Sequence, residues 1–211
     1  MKQNKKFSVY DLCVIGLMAA LVFVATNFRI KIPVGGDSTM LHLGNVMCLL
    51  SGLLFGGLPG GLAAGFGSAI FDLTSEFASE AWITFINKFA MGFVAGAVAH
   101  CSKKLLPGQK ANTILGAVLG SVTYVILYVT KTIFTQRFLY GAEWPVVFTV
   151  AGTKGLVSFV NGLIAVVASL LLVFALRPAL QKAGLFEKLT VGKLKKTTAV
   201  PQAEATQTEN K

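Results

Sequence analysis

The sequence predicts an all-α integral membrane protein: a compact bundle of six transmembrane helices, with the N- and C-termini cytoplasmic. Three observations carry that expectation. The 211 residues are 54% hydrophobic and only 13% charged, with a mean hydropathy of +0.69, a composition suited to lipid. Apolar runs of roughly the 20 residues needed to cross a bilayer follow one another with short connections, leaving no room for a large extramembrane domain. The net charge of +10 is concentrated towards the ends of the chain and in one loop. A nucleic-acid face would need a solvated fold to carry it, so no nucleic-acid partner is expected.

The basic residues set the topology. With the N-terminus inside, the inner segments hold 13 of the 19 Lys and Arg, the outer loops hold Arg29, Lys31, Lys131 and Arg137, and Lys88 and Lys154 lie within spans. This is the positive-inside pattern. It divides the chain into a cytoplasmic N-terminus (1–9), a membrane domain (10–177) and a basic, then polar, cytoplasmic tail (178–211).

Taken in order, the first span covers Tyr10–Phe28. Lys2, Lys5 and Lys6 before an apolar run resemble a signal peptide, but no small-x-small cleavage site ends the run, so it reads as a retained helix. Gly16, Ala20 and Val24 line one face of it, a small-residue groove suited to close helix contact. Arg29–Met40 reads as a loop, because Pro33 and Gly35-Gly36 break regularity; it serves either as a lid over the next segment or as a plain connector. Spans two and three, Leu41–Leu58 and Pro59–Leu73, form a glycine-rich hairpin turning at Gly56–Gly61. Glycine would weaken a soluble helix by up to ~1 kcal/mol per position; in a bilayer it lets backbones approach. Span four is Ala81–Cys101, with Gly92 and Gly96 four apart, and span five is Ala111–Phe134, with Gly116 and Gly120 likewise. Thr135–Pro145 is an interface loop carrying Tyr140 and Trp144. Span six is Val146–Leu176, and the end of the tail reads as disordered.

Polar residues inside such spans are costly and need a reason. A lysine near the bilayer centre costs at least ~2.5 kcal/mol on insertion scales. Lys88 lies seven residues into span four, ~10 Å down at 1.5 Å per residue, and Lys154 lies at a similar depth in span six. Lys154, Ser158 and Asn161 share one helical face. Asn87 adjoins Lys88, Thr84 sits one turn above it, and Asp72 ends span three within reach of either lysine. With His42 and Asn45 at the entry of span two, these residues define a polar pocket opening outward between spans three, four and six. Trp144, Tyr140 or Trp82 would supply stacking. The pocket reads either as an internal ion-pair network that locks helices or as a binding site for a small polar, partly aromatic molecule.

Catalytic signals are weak. There is no HExxH, no close carboxylate pair at helical spacing within a span, and no Ser-Lys or Ser-His arrangement that stands out. No catalytic residue, metal ligand or cofactor is therefore assigned. Cys13, Cys48 and Cys101 are isolated and read as apolar filler. Without a GxxxxGK[ST] loop the chain is no P-loop ATPase, so uphill transport would need a partner or an ion gradient.

The six spans, the small-residue first helix, the run LHLGN, the glycine-rich hairpin ending in GSAIFDL and the stretch TFINKFAMGFVAG resemble the substrate-binding S components of energy-coupling factor (ECF) vitamin transporters. The likeness covers residues 7–177 and is nearest the branch that includes riboflavin, pyridoxine and hydroxymethylpyrimidine binders. It implies a protein of the bacterial cell membrane that binds its vitamin at the outer face, beneath the loop joining spans one and two. It also implies docking on a membrane T component coupled to two cytoplasmic ATPase subunits, with the S component toppling in the membrane to release its ligand inward. Gly16 and Ala20 match the family's docking face, and Asp72 and Lys88 match polar positions of its GSA-x-x-D and TF-I-x-K stretches. Lys154 and Asn161 match polar positions of the last helix, while Asn87 stands where the family commonly has an apolar residue. Pyridoxine or hydroxymethylpyrimidine fits this residue set best, then riboflavin. A self-sufficient secondary transporter is the alternative, and it would more naturally show inverted repeats and broken helices. A membrane-embedded enzyme or a structural scaffold explains the two intramembrane lysines less well.

Overall fold

The computed structural model describes residues 7–34, 37–101 and 109–189. Lys2, Lys5, Lys6, Gly35-Gly36, Lys103, Lys104 and the tail from Thr190 lie outside the described residues, and with them much of the charge pattern used above.

Helix α1 (Val9–Asn27) starts at a capping box: Ser8 accepts from the helix's first turn and Asp11 reaches back to the Ser8 backbone N–H at 2.9 Å, which satisfies amides that have no intrahelical partner. The segment expected as a loop is instead a β-hairpin. Strands β1 (Arg29–Val34) and β2 (Asp37–His42) pair antiparallel, from Arg29 opposite His42 to Val34 opposite Asp37. The breakers Gly35-Gly36 are the two residues between the strands, a length that hairpins favour.

Helix α2 (Gly44–Phe55) and helix α3 (Gly57–Leu73) follow. The turn between them is Gly56, whose φ of 94° is a left-handed conformation open to glycine. A one-turn 3₁₀ segment (Ala78–Glu80) leads into α4 (Ala81–Ala99). Helix α5 (Gln109–Phe134) runs on into a π-helical turn, Thr135–Leu139. Helix α6 (Trp144–Lys182) has 39 residues and outruns its expected end at Leu176. The short helix α7 (Leu185–Lys188) folds back so that Phe186 lies 6.2 Å from Phe55 and Leu189 is buried. The start of the segment expected as tail therefore packs on the bundle.

Helix α2 is the axis. All but Met47 of its 12 residues are buried, and α1, α3, α4, α5 and α6 pack around it. Glycine makes the tightest approaches. A Cβ added at Gly52 would meet the Gly92 carbonyl oxygen, and one at Gly96 would meet the Gly56 backbone, so α2, α3 and α4 touch main chain to main chain.

Among the described residues four helices, α1, α4, α5 and α6, are long and apolar enough to cross a membrane. The expected second span is shorter than its apolar run, because β2 takes the residues up to His42. At 12 residues, α2 covers ~18 Å, short of the ~30 Å hydrocarbon core, and it is shielded by the other helices. The all-α expectation thus holds for the bundle and fails for the hairpin that caps one end of it.

Candidate functional site

Beneath the hairpin lies a recess with an open mouth. Strand β2 covers it, contributing Ser38, Thr39, Met40 and His42. Thr26 of α1, Ser68, Phe71 and Asp72 of α3, Phe77 and Glu80 between α3 and α4, Thr84, Asn87 and Lys88 of α4, Tyr124 and Tyr128 of α5, and Lys154 of α6 complete the wall.

The polar groups are bonded to one another in layers. Lys88, buried, donates from Nζ to Asn45 Oδ1, and its ammonium stands 3.8 Å from the centre of the Tyr124 ring. Asn45 is wholly buried. The Tyr124 hydroxyl lies beside Ser158 and Asn45. Asp72 accepts a hydrogen bond from Thr84 and feels the Lys88 charge. His42 accepts the Gly44 backbone N–H at Nδ1, 3.1 Å away, so the ring is neutral with its proton on Nε2.

The hairpin is clasped from three sides. Glu76, in the α3–α4 loop, meets Lys31 at 2.7 Å and Arg29 at 3.8 Å. The Arg29 guanidinium lies 4.7 Å over Phe71, and Thr39 Oγ1 is 3.4 Å from the Tyr128 hydroxyl. Hydrogen bonding and charge from Lys31 hold the exposed Glu76 carboxyl below its ordinary value of 4.5. Beside the mouth, Lys131 pairs with Glu80 at 2.5 Å.

Of the residues expected at the site, His42, Asp72, Thr84, Asn87, Lys88 and Lys154 line the cavity. Asn45, Ser158 and Asn161 are buried on the inner faces of α2 and α6 and are not part of the lining. Trp144 is placed elsewhere: it is 47% exposed, stacks on Phe148 at 5.6 Å and carries Arg137 at 5.1 Å from its ring. Tyr140 and Trp82 are exposed too, at 65% and 67%. The aromatic groups at the cavity are instead Tyr124, Tyr128, Phe71 and Phe77. The spacing Tyr124, Tyr128, Lys131 (i, i+4, i+7) on α5 is the signal that could have found the tyrosine wall. Among the described residues no group of three or more His, Cys, Asp or Glu side chains is placed to hold a metal ion. On α1, Gly16, Ala20 and Val24 all face outward, with open space around Gly16.

This arrangement offers a partly apolar, tyrosine-walled recess with buried hydrogen-bonding groups, the usual anatomy of a small-molecule site. In comparison with known proteins, a family model described as ECF-type riboflavin transporter, S component, matches residues 6–178. A curated protein of Pyrococcus woesei, known as an uncharacterized protein in gap 3'region, is 31% identical over 105 residues, which is 50% of this chain and 67% of the relative. A solved structure of the S component of a bacterial ECF transporter superposes with a TM-score of 0.58 over 81% of this chain and 96% of that one, at 19% identity. That structure shares the fold.

Proposed function

The chain belongs to the ECF-type riboflavin transporter S-component family, and from that premise we propose that it binds a vitamin or vitamin precursor in the cavity beneath the hairpin and delivers it across the bacterial plasma membrane. Members of this family are transport subunits rather than enzymes, and the chain is a multi-pass membrane protein. The observation that carries the reading is the buried Lys88–Asn45–Tyr124 cluster beneath an open, polar mouth. A network that served only to lock helices would have no use for a recess above it.

In this reading six helices cross or fill the membrane, both termini face the cytoplasm and the hairpin lies outside. His42, Asp72, Thr84, Asn87, Lys88 and Lys154 contact the ligand, while Asn45, Ser158 and Asn161 hold the floor beneath it. The exposed Gly16–Ala20–Val24 face of α1 docks on a membrane T component, which two cytoplasmic ATPase subunits drive. Pyridoxine, hydroxymethylpyrimidine and riboflavin are the ligand candidates.

The test is to purify the protein from cells, denature it and identify released small molecules by mass spectrometry. The reading predicts a heterocyclic vitamin or precursor at close to one per chain, and markedly less from a Lys88→Met variant. Protein that carries none, and that binds none of the three candidates when titrated, would refute it.

A further inference from the structure

The polar groups that line the recess are matched to partners within the protein, with one exception. Charge balances in the wall, where Asp72 and Glu80 stand against Lys88 and Lys154. Asp72 accepts from Thr84, Glu80 pairs with Lys131, and Lys88 donates to Asn45; Lys154 and Ser38 are engaged as well. The uncharged groups behave alike. Thr26 donates to the Val22 carbonyl oxygen, Thr39 meets the Tyr128 hydroxyl, His42 accepts from the Gly44 amide, and Ser68 lies against the Cys48 thiol. The Tyr124 hydroxyl is bonded with Ser158 and Asn45.

Asn87 is the exception. It lines the recess, is only 6% exposed, and makes no side-chain hydrogen bond with any described residue. Its place is fixed from both sides. Thr84, Asn87 and Lys88 share one face of α4. Thr84 is tied to Asp72 of α3 and Lys88 to Asn45 of α2, so the carboxamide stands between two anchored neighbours. Met91, one turn further along, is wholly buried.

A carboxamide presents an oxygen that accepts and an N–H that donates, side by side in one plane. Its complement is a planar edge on which an N–H adjoins a ring nitrogen or a carbonyl oxygen. Asparagine reads the edge of adenine through such a pair. A nearly buried polar group gains most from a ligand that satisfies it, and a ligand that cannot do so leaves it unpaired. The balanced charges of the wall call for no net charge on that ligand.

We propose that Asn87 determines specificity at this site by pairing with such an edge on a neutral heterocycle, as found in an aminopyrimidine or a cyclic imide. This deepens the vitamin-site reading and rests on it. It also separates the candidates. Hydroxymethylpyrimidine carries an amino group beside a ring nitrogen and riboflavin carries an imide, whereas pyridoxine has neither.

The experiment is calorimetric titration of the full-length protein in detergent with ligands whose edge is intact or blocked. Hydroxymethylpyrimidine is compared with the same ring lacking its amino group, riboflavin with 3-methylriboflavin, and pyridoxine is titrated alongside. At least one intact ligand should bind about tenfold or more tightly than its blocked analogue. Asn87→Leu should remove that preference, and Asn87→Ala serves if the leucine variant does not fold. A merely structural role for Asn87 would weaken both members of a pair alike and keep their ratio. The wild-type ratio needs no variant. Three results would overturn this inference and leave the vitamin-site reading standing: blocked analogues that bind within tenfold of the intact ligands, a preference that survives the loss of Asn87, or binding of pyridoxine alone. Binding of none of the five compounds would overturn both.

Discussion

Lys88 is the residue on which the site turns. Its ammonium is removed from water, held by the Asn45 oxygen and laid on the Tyr124 ring, an arrangement that fixes a charge in the cavity wall. Lys88→Met keeps the volume and removes the charge. A hydrogen bond to a charged group is worth about 1.5–3 kcal/mol, so ligand affinity should fall ~10–100-fold, with stability lowered by no more than the about 1–3 kcal/mol of leaving the Asn45 oxygen unpaired. Unchanged affinity would take Lys88 out of the binding site. Lys88 and Asp72 were legible in the sequence because an ionisable side chain in an apolar run needs a partner or a wet cavity. Tyr124 and Tyr128 were not, since a tyrosine in the same run is equally at home in a core, at an interface or at a pocket wall. Trp144 misled for the same reason: its ring marks the edge of α6, where it stacks on Phe148 and takes Arg137.

At the scale of elements, the helices were readable because each apolar run is bounded by charge or by a breaker, and the glycine spacing reported their contacts. Gly52→Ala puts a methyl group against the Gly92 carbonyl, where neither backbone has room to yield. Overpacking of this kind costs about 1–3 kcal/mol, so the variant should melt measurably lower than wild type; an unaltered melting temperature would mean that α2 and α4 are not in main-chain contact. The hairpin was not readable as strands. Pro33 and Gly35-Gly36 interrupt a run of only six residues on each side, too short for alternation to outweigh two breakers. Glu76 ties the hairpin to the α3–α4 loop, its carboxyl held below its ordinary value chiefly by hydrogen bonding from Lys31. A carboxyl depressed in the clasped form contributes fully above its unclasped value of 4.5, and the contribution is lost as pH falls through the lowered value. Hydrogen-exchange protection of Arg29–His42 should therefore drop as pH falls below 4.5 and through the lowered value, and Glu76→Gln should show the lowered protection already at pH 7. Equal protection in the variant and the wild type at pH 7 would assign closure to Thr39, Tyr128 and Arg29 alone.

For the molecule as a whole, the fold places a recess at one end and leaves a smooth small-residue face on α1. The sequence conveyed helices α1 to α6 in their order, whereas it did not convey that only four of them are long enough to span a bilayer, that α2 is a short, shielded axis or that α6 continues into a segment packed against Phe55. Those features come from packing between distant parts of the chain, which no local pattern records. Gly16→Leu with Ala20→Leu alters a surface around which there is open space at Gly16, so ligand binding and stability should be retained while uptake in cells is abolished. Full uptake by that double variant would move the docking face elsewhere. The central claim is tested most directly by vitamin uptake into proteoliposomes, with the chain present alone or together with a T component and its two ATPases. The account predicts accumulation that requires the complete assembly and ATP on the ATPase side. Accumulation by the chain alone, driven by an ion gradient and indifferent to ATP, would contradict it and make the protein a secondary transporter.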